Sequence, residues 1–330
     1  MTAERTDRDS HEQPDVLGLP FTVETIALRP DAEGAVEANL VRRRADRPAS
    51  RAVLHVHGFC DYFFHADYAH WWAQRGYDFY ALDLRKYGRS LREHHTAGYV
   101  DDVRDYFEEL DEAWARITER DGHDEVVLSA HSTGGLTVPL WADDRGHPLA
   151  GMILNSPWVD MHGPFWVRLG ASVVKQLGSY QPRREIPRAR NTIYAQALHR
   201  DFSGEWDYDL AWKPPESWPV YAGWARAIRR GHADLHRGLD VQGPVLVITS
   251  GATGRATELN DEVFSTDVVL DVRQMRRWAT AVGRRVTVVS VDGAIHDVVL
   301  SQPEPRARVY AELDRWLGAY VEQRDTRPEV

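Results

Sequence analysis

The sequence has very little cysteine, and Cys60 is its single thiol in 330 residues. One cysteine cannot close an internal disulfide, and the chain has no cysteine pair of the kind that holds structural zinc. A cytoplasmic location is therefore expected. Most lone cysteines behave as inert, small apolar side chains, so no chemistry is assigned to Cys60.

The sequence also has no apolar run long enough to span a bilayer, which predicts no integral membrane association. Its first residues carry charges of both signs without an apolar segment, unlike a secretory signal or a transit peptide. Residues 1–20 are expected to form a flexible tail. The net charge of −10 argues against nucleic acid as a partner. No pattern indicates an oligomeric state.

Short apolar runs alternate with segments of helical periodicity through most of the chain. This alternation predicts an α/β fold whose central sheet is mostly parallel and has helices on both faces. The runs predicted as buried strands are 51–58, 77–84, 125–132, 150–157, 243–250 and 284–291.

One region interrupts the alternation. Residues 158–236 contain no clear strand but hold six of the twelve tryptophans, which predicts a helical cap inserted between two parts of the core, 21–157 and 237–325. Large aromatic side chains in such a cap can form its own core or line an apolar pocket. The tryptophans proposed to line a substrate pocket are Trp158, Trp166, Trp218 and Trp224.

A candidate nucleophile, Ser132, lies directly after one of the predicted strands and before a helical segment. Small residues at 130, 134 and 135 permit the tight strand–turn–helix elbow that exposes a nucleophilic serine. Ala130 stands where the elbow pattern usually has its first glycine. On its own the stretch fits an ordinary turn serine about equally well.

A second turn, His57-Gly58-Phe59, closes the first strongly predicted strand. There the backbone N–H of Phe59 can point into the same crevice as the N–H of Thr133, and two such donors form an oxyanion hole. The residues assigned to support of the elbow and the oxyanion loop are His57, Gly58, His131 and Gly134.

A candidate base, His296, lies in the loop after the last predicted strand, where its imidazole can reach Ser132. Asp271 has a structural explanation, because with Gln274 it forms an Asp-x-x-Gln capping box for the next helix. Asp267 has no such explanation, and we take it as the carboxylate that orients His296. The other acids between the preceding strand and the histidine are Asp261, Glu262 and Asp292.

The motifs HGF, AHSTG, STDVVLD and GAIHDVV, in this order, resemble the α/β-hydrolase superfamily. Within it the chain resembles the group of monoacylglycerol lipases, lysophospholipases and serine aminopeptidases, over residues 22–322. In that group the acid opens an Asp-x-x-x-Asp segment upstream of the histidine, and Asp267 and Asp271 supply this pair. The resemblance implies a Ser132, Asp267 and His296 triad. The segment 252–264 departs from the group, which is usually shorter there.

These roles predict a serine hydrolase that works through an acyl-enzyme and needs no metal or organic cofactor. His55 and His57 lie close together, but packing or loop support is favoured over a metal site for them. The expected partner is a small apolar ester, such as a monoacylglycerol or a lysophospholipid.

Two alternatives remain open at the level of sequence. The first is an aminopeptidase or amidase of the same fold, which would need a carboxylate in the cap to hold the substrate amine. The second is a hydrolase fold that binds an apolar ligand without turnover. The cap carboxylates available for the first alternative are Glu185, Glu205 and Glu216.

Overall fold

The computed structural model describes residues 12–161, 180–187 and 192–322, and the strands of these residues form one mixed sheet. The spatial order is β1-β2-β3-β5-β4-β6-β7-β8-β9. The strands are β1 Gln13–Pro14, β2 Thr22–Asp31, β3 Gly34–Arg43, β4 Arg51–Val56, β5 Tyr77–Asp83, β6 Glu125–His131, β7 Gly151–Asn155, β8 Val245–Ser250 and β9 Val286–Val291.

The six strands predicted from apolar runs are all present, as β4 to β9, and they pair in parallel. Strands β5 to β8 are buried along almost their whole length, because helices cover both faces of a parallel sheet. Strand β9 is at the edge and is partly exposed. The prediction of a mostly parallel sheet is confirmed.

The sheet continues into an antiparallel part that the apolar runs did not predict. Strands β2 and β3 form a hairpin, and β3 pairs with β5. The short strand β1 pairs with β2, and the Asp15 carboxylate beside it is buried in an ion pair with Arg89 at 2.6 Å. Residues 12–20 are therefore not the flexible tail that the sequence predicted, since this ion pair and the strand pairing attach them to the core.

Helices cover both faces of the sheet. Side chains of α2, α3 and α5 pack with one face, and those of α1 and α7 pack with the other. The described helices are α1 Ala66–Gln74, α2 Phe107–Ala115, α3 Gly134–Arg145, α4 Ile193–Leu198, α5 Ala222–Leu235, α6 Val272–Trp278 and α7 Pro303–Tyr320. None of these helices is both long and apolar enough to cross a membrane.

Between β7 and β8 the described residues add no strand to the sheet and include helices α4 and α5. Helix α5 packs against α3, and a Cβ on Gly231 would come within 3.2 Å of the Leu136 side chain. Ala227, Ile228 and Leu235 are fully buried in the main core. The last part of the predicted cap thus belongs to the helical layer that covers the sheet.

Strands β4, β6, β8 and β9 all run in the same direction, so the loops that follow them meet at one edge of the sheet. These loops carry Phe59, Ser132, Asp267 and His296. The parallel topology therefore brings residues from four distant parts of the chain to one place.

Candidate active site

Ser132 lies in a strained turn between β6 and α3. Its φ angle is +51°, in the left-handed region that residues other than glycine rarely occupy. The turn is held by backbone hydrogen bonds, because the Ser132 N–H donates to the carbonyl oxygen of Asn155 at 3.0 Å and its own carbonyl accepts from Trp158 at 2.8 Å. The side chain is half-buried, so the hydroxyl stays accessible at the carboxyl edge of the sheet.

Two glycines allow the turns to approach one another. A Cβ on Gly134 would lie 2.5 Å from the carbonyl oxygen of His57, and one on Gly58 would lie 2.9 Å from Cβ of Ser132. Such contacts exclude any larger residue at either position without movement of the backbone. Ala130, which replaces the usual first glycine of the elbow, is fully buried within β6 and is accommodated there.

His296 connects Ser132 to a carboxylate. Its Nδ1 lies 2.8 Å from Oδ2 of Asp267, and its Nε2 lies 3.1 Å from Oγ of Ser132. Because a carboxylate can only accept, Nδ1 donates its proton to Asp267, and Nε2 is left to accept from the hydroxyl. The arrangement can therefore take a proton from Ser132 and stabilise the imidazolium that results.

Asp267 is held rigidly for this role. It is fully buried, and its second oxygen, Oδ1, accepts hydrogen bonds from the N–H groups of Val269 at 2.8 Å and Leu270 at 2.7 Å. Its own backbone pairs with the 252–254 segment, where the Asp267 N–H donates to the carbonyl of Ala252. The longer segment 252–264 thus supports the acid rather than displacing it.

The other acids have different surroundings. Asp271 accepts from the N–H of Arg273 at 3.0 Å and caps α6, as the sequence predicts. The predicted capping box is incomplete, because the side-chain oxygen of Gln274 has no hydrogen-bond partner in the described structure. Asp261 and Asp292 are exposed.

The two expected oxyanion donors are available. Within the described residues, neither the N–H of Phe59 nor that of Thr133 donates to another group. His57 supports the loop that carries Phe59, since its Nδ1 donates to the carbonyl of Gly58 at 2.8 Å and its Nε2 accepts from the N–H of Leu84 at 3.1 Å. Burial lowers the pKa of His57, which keeps it in the neutral form that makes both bonds.

His131 packs beneath the base. Its ring centre lies 4.8 Å from that of His296, and its Nδ1 lies 3.2 Å from the carbonyl oxygen of Asn155, to which it donates. Burial lowers the pKa of His131 to about 4, so the ring is neutral near pH 7. These contacts agree with a supporting role at the elbow.

His55 and His57 do not share a ligand position. Nδ1 of His55 lies 3.0 Å from the Ser129 hydroxyl and its ring stacks on Phe79, whereas the His57 ring packs against Tyr87 on the other side of the sheet. Their surroundings are those of core histidines.

A buried cluster behind the triad contains three groups that could ligate a metal. Ligand atoms of Asp61, His131 and Asp297 all lie within 4.8 Å of one another. Each carboxylate already has a partner, because Lys213 donates to Asp61 at 2.5 Å and the Asn155 side chain donates to Asp297 at 2.6 Å. Protein groups therefore compensate the charge of both carboxylates.

Three of the tryptophans proposed for the pocket form one aromatic cluster around Phe59. The Phe59 ring centre lies 4.4 Å from that of Trp224 and 5.8 Å from that of Trp218. Trp158 lies 5.8 Å from Trp224 and also binds the Ser132 carbonyl through its backbone. Trp166 lies outside the described residues. The cluster therefore adjoins Ser132 and contains Phe59, one of the two expected oxyanion donors.

Two residues near the site, Tyr194 and Lys213, were missed by the sequence reasoning. The Tyr194 hydroxyl accepts from the backbone N–H of Asp297 at 3.0 Å, and its ring centre lies 5.9 Å from that of His296. Both residues lie in the insertion, where the sequence has no motif to single them out.

The cap carboxylates considered for an amine-binding site are on the surface. Glu185, Glu205 and Glu216 are all exposed. Glu205 is paired with Arg306 at 2.6 Å. A carboxylate that binds a substrate amine beside Ser132 would have to face the aromatic cluster around Phe59. The ion pair with Arg306 directs Glu205 toward α7 instead.

Comparison with known proteins connects this geometry to one family. Residues 47–302 match the family model Hydrolase_4, described as "Serine aminopeptidase, S33". No curated protein matches the chain significantly.

Similar solved structures include a soluble variant of a monoglyceride lipase from Saccharomyces cerevisiae in complex with a substrate analog. Its sequence identity is 14% and its TM-score is 0.62, over 88% of this chain and 93% of that chain. A monoacylglycerol lipase from Paleococcus ferrophilus has 19% identity and a TM-score of 0.60 over 85% and 98%. A carboxyl esterase from Bacillus coagulans, in complex with glycerol, has 15% identity and a TM-score of 0.62 over 91% and 99%. At these identities the likeness shows the fold.

Proposed function

The chain belongs to the serine aminopeptidase, S33, family of α/β-hydrolases, and from this premise we propose that it is a serine hydrolase that cleaves the carboxylic ester of an apolar or lipid-like substrate. The observation that carries the proposal is the unbroken series of contacts from Asp267 through His296 to Ser132, at 2.8 Å and 3.1 Å. The Ser132 hydroxyl lies at the end of this series, and the N–H groups of Phe59 and Thr133 donate to no other group in the part of the chain that the structure describes.

In the acylation step His296 takes the proton from Ser132 as Oγ attacks the ester carbonyl. Asp267 stabilises the imidazolium, and the N–H groups of Phe59 and Thr133 bind the oxyanion of the tetrahedral intermediate. The imidazolium then gives its proton to the leaving alkoxide, and an acyl-enzyme remains on Ser132. In the second step the same imidazole deprotonates a water molecule that attacks the acyl carbon. The bond from the acyl carbon to Ser132 Oγ then breaks, the imidazolium returns its proton to Oγ, and the acid is released.

The aromatic cluster around Phe59 supports an apolar substrate. Phe59 and Trp158 are half-buried, and the Trp158 backbone N–H donates to the Ser132 carbonyl. The buried Trp218 and Trp224 pack against these two residues. An acyl chain in contact with them would contribute about 0.8 kcal/mol for each buried methylene. The monoglyceride lipases of similar fold support the same substrate class. An aminopeptidase activity is less favoured, because the cap carboxylates considered for it are exposed.

Replacement of the nucleophile tests the proposal directly. Ser132→Ala should abolish hydrolysis of p-nitrophenyl esters and block labelling by a fluorophosphonate, because it removes only the attacking oxygen. Thermal unfolding of the variant should stay close to that of the wild type. EDTA should leave the wild-type rate unchanged.

The same assay separates the alternatives. A wild-type preference for an aminoacyl-anilide over p-nitrophenyl esters would favour the aminopeptidase. A wild-type protein that neither turns over substrates nor reacts with the fluorophosphonate would favour a binding protein. Retention of most ester turnover by purified Ser132→Ala would contradict the nucleophile assignment.

A further inference from the structure

The loop between β4 and α1, residues 57–65, is attached to the insertion next to the proposed oxyanion donor. The Tyr62 hydroxyl accepts a hydrogen bond from the backbone N–H of Asp209 at 2.6 Å. The neighbouring Asp61 carboxylate accepts from the Lys213 ammonium at 2.5 Å. The loop is thus held to the insertion within three residues of the Phe59 N–H.

The Asp61–Lys213 ion pair is buried. The Asp61 side chain is 4% exposed and that of Lys213 is 12% exposed. The Lys213 ammonium also lies over the rings of Phe64, at 5.3 Å, and Tyr208, at 5.6 Å. Burial alone would raise the pKa of Asp61, but the attraction of Lys213 lowers it to about 2, and the attraction of Asp61 in turn raises the pKa of Lys213. Both members are therefore charged near pH 7.

A pair of this kind is a poor way to attach a cap for stability alone. The free energy needed to remove two charges from water offsets much of the attraction between them. Apolar residues of similar volume at the same positions often stabilise a fold as well or better. A buried ion pair does fix direction and register, because each charge needs its partner in one geometry. The location of the pair, two residues after Phe59, indicates what it orients.

The pair also lies near Asp297, the residue that follows the proposed base. Carboxylate oxygens of Asp61 and Asp297 lie within 4.8 Å of each other, and Asp297 directly follows His296. Two carboxylates at this distance repel one another unless cations or hydrogen-bond donors compensate them. Lys213 compensates Asp61, while His65 and Asn155 donate to Asp297.

We propose that Lys213 is a positioning residue, whose buried ion pair with Asp61 holds the loop 57–65 so that the Phe59 N–H points to the oxyanion. This inference rests on the proposed function. If the insertion holds this loop, it affects the rate of the reaction as well as the choice of substrate.

The test uses the full chain and two readouts, kcat on p-nitrophenyl acetate and the second-order rate of Ser132 labelling by a fluorophosphonate. Active sites are counted by complete labelling, so that unfolded molecules do not enter kcat. Lys213→Met should lower both rates about tenfold, with KM little changed. This loss is smaller than the one expected when an oxyanion donor is removed completely, because the Phe59 N–H is misdirected and not deleted. Lys213→Arg should restore most of the rate, because it keeps the charge.

Arg306→Met is the matched control. Arg306 also joins a core helix to a carboxylate of the insertion, Glu205, and its side chain is 19% exposed, so its loss should leave both rates unchanged. The double variant Asp61→Asn/Lys213→Met leaves no unpaired buried charge. It should still be slow, which keeps the test usable if Lys213→Met alone does not fold.

The outcomes separate the two proposals. Wild-type rates in a folded variant that lacks Lys213, or an equal loss in Arg306→Met, would overturn the positioning role while leaving the serine hydrolase standing. An equal loss in Lys213→Arg would also overturn it. If the wild type itself shows neither ester turnover nor labelling of Ser132, the proposed function fails, and the positioning role fails with it.

Discussion

Two aspartates four residues apart illustrate how surroundings decide the role of a residue. Asp267 is fully buried, and its oxygens bind His296 and two backbone N–H groups. Asp271 lies at the start of α6, where it accepts from the N–H of Arg273. The same carboxylate thus orients an imidazole at one position and caps a helix at the other.

Asparagine at each position should separate these roles. Asp267→Asn should lower kcat by about a thousandfold or more, because an amide at this position favours the wrong tautomer of His296. Asp271→Asn should change both kcat and the free energy of unfolding very little, since asparagine caps helices as well as aspartate. Steady-state kinetics and urea unfolding of the two variants measure both effects.

The matched pair keeps the charge change constant, so a general electrostatic effect would appear in both variants. A greater loss of activity in Asp271→Asn than in Asp267→Asn would transfer the orienting role to Asp271.

At the scale of elements, the insertion meets the proposed catalytic loops at several points. Trp218 and Trp224 pack against Phe59, and Tyr194 on α4 contacts the His296 loop. The insertion therefore does more than cover the sheet. Its buried tryptophans pack against Phe59, and its polar groups contact the loops that carry Phe59 and His296.

Shortening the aromatic cluster should change the preference for chain length. Trp218→Leu and Trp224→Leu should raise KM for p-nitrophenyl decanoate about tenfold or more and change the acetate much less, because each lost methylene contact removes about 0.8 kcal/mol. KM and kcat for esters of increasing length measure the effect.

Trp206→Leu serves as the control for this series. The Trp206 indole N–H donates to the carbonyl of Leu300, away from Phe59, and its replacement should leave the preference unchanged. Folded variants of Trp218 and Trp224 that lose activity equally on short and long esters would make the cluster purely structural. The apolar substrate should then be abandoned.

The strands differ in how clearly their residues predict them. The parallel strands β4 to β8 are buried on both faces and therefore consist of continuous apolar runs. Strand β2 alternates buried and exposed residues from Glu24 to Leu28, because one face of the hairpin is in contact with solvent. Continuous apolar runs therefore predict the buried parallel strands and do not predict β2.

At the scale of the whole molecule, several buried histidines are held neutral. Burial lowers the pKa of His131 and of His232 to about 4, and it also lowers the pKa of His55 and His57. In the unfolded chain these imidazoles protonate near the ordinary value of about 6.5. Between these values the unfolded state binds more protons than the folded state.

The folded protein should consequently lose stability as the pH falls from about 6.5 to about 4. Each of His131 and His232 should account for about 3 kcal/mol over this window, an order-of-magnitude figure for groups shifted this far. Urea unfolding at pH 7, 5.5 and 4.5 measures the change.

A variant without one imidazole provides the control. His232→Gln cannot protonate in this range, and its amide can reach the position of Nε2, which lies 2.8 Å from the carbonyl oxygen of Trp158. Its unfolding midpoint should fall less steeply with pH than that of the wild type. A midpoint that is constant from pH 7 to pH 4.5 in the wild type would contradict this account.

The sequence by itself determined the features that depend on short windows of chain. Apolar runs placed β4 to β9, and the strand–turn–helix pattern placed Ser132 in its elbow. The strand ends also placed Phe59 and His296 in loops, and parallel topology brings such loops to one edge. These features follow from local periodicity and turn chemistry, which depend on residues close together in the sequence.

Only the tertiary structure decided the contacts between distant parts of the chain. Asp61 and Lys213 are 152 residues apart and form a buried ion pair, and Asp15 reaches Arg89 across 74 residues. Their energies depend on burial and on the partner's position, neither of which is encoded near either residue. For the same reason the sequence could favour Asp267 only by elimination and by resemblance to a family, whereas packing sets its carboxylate against His296.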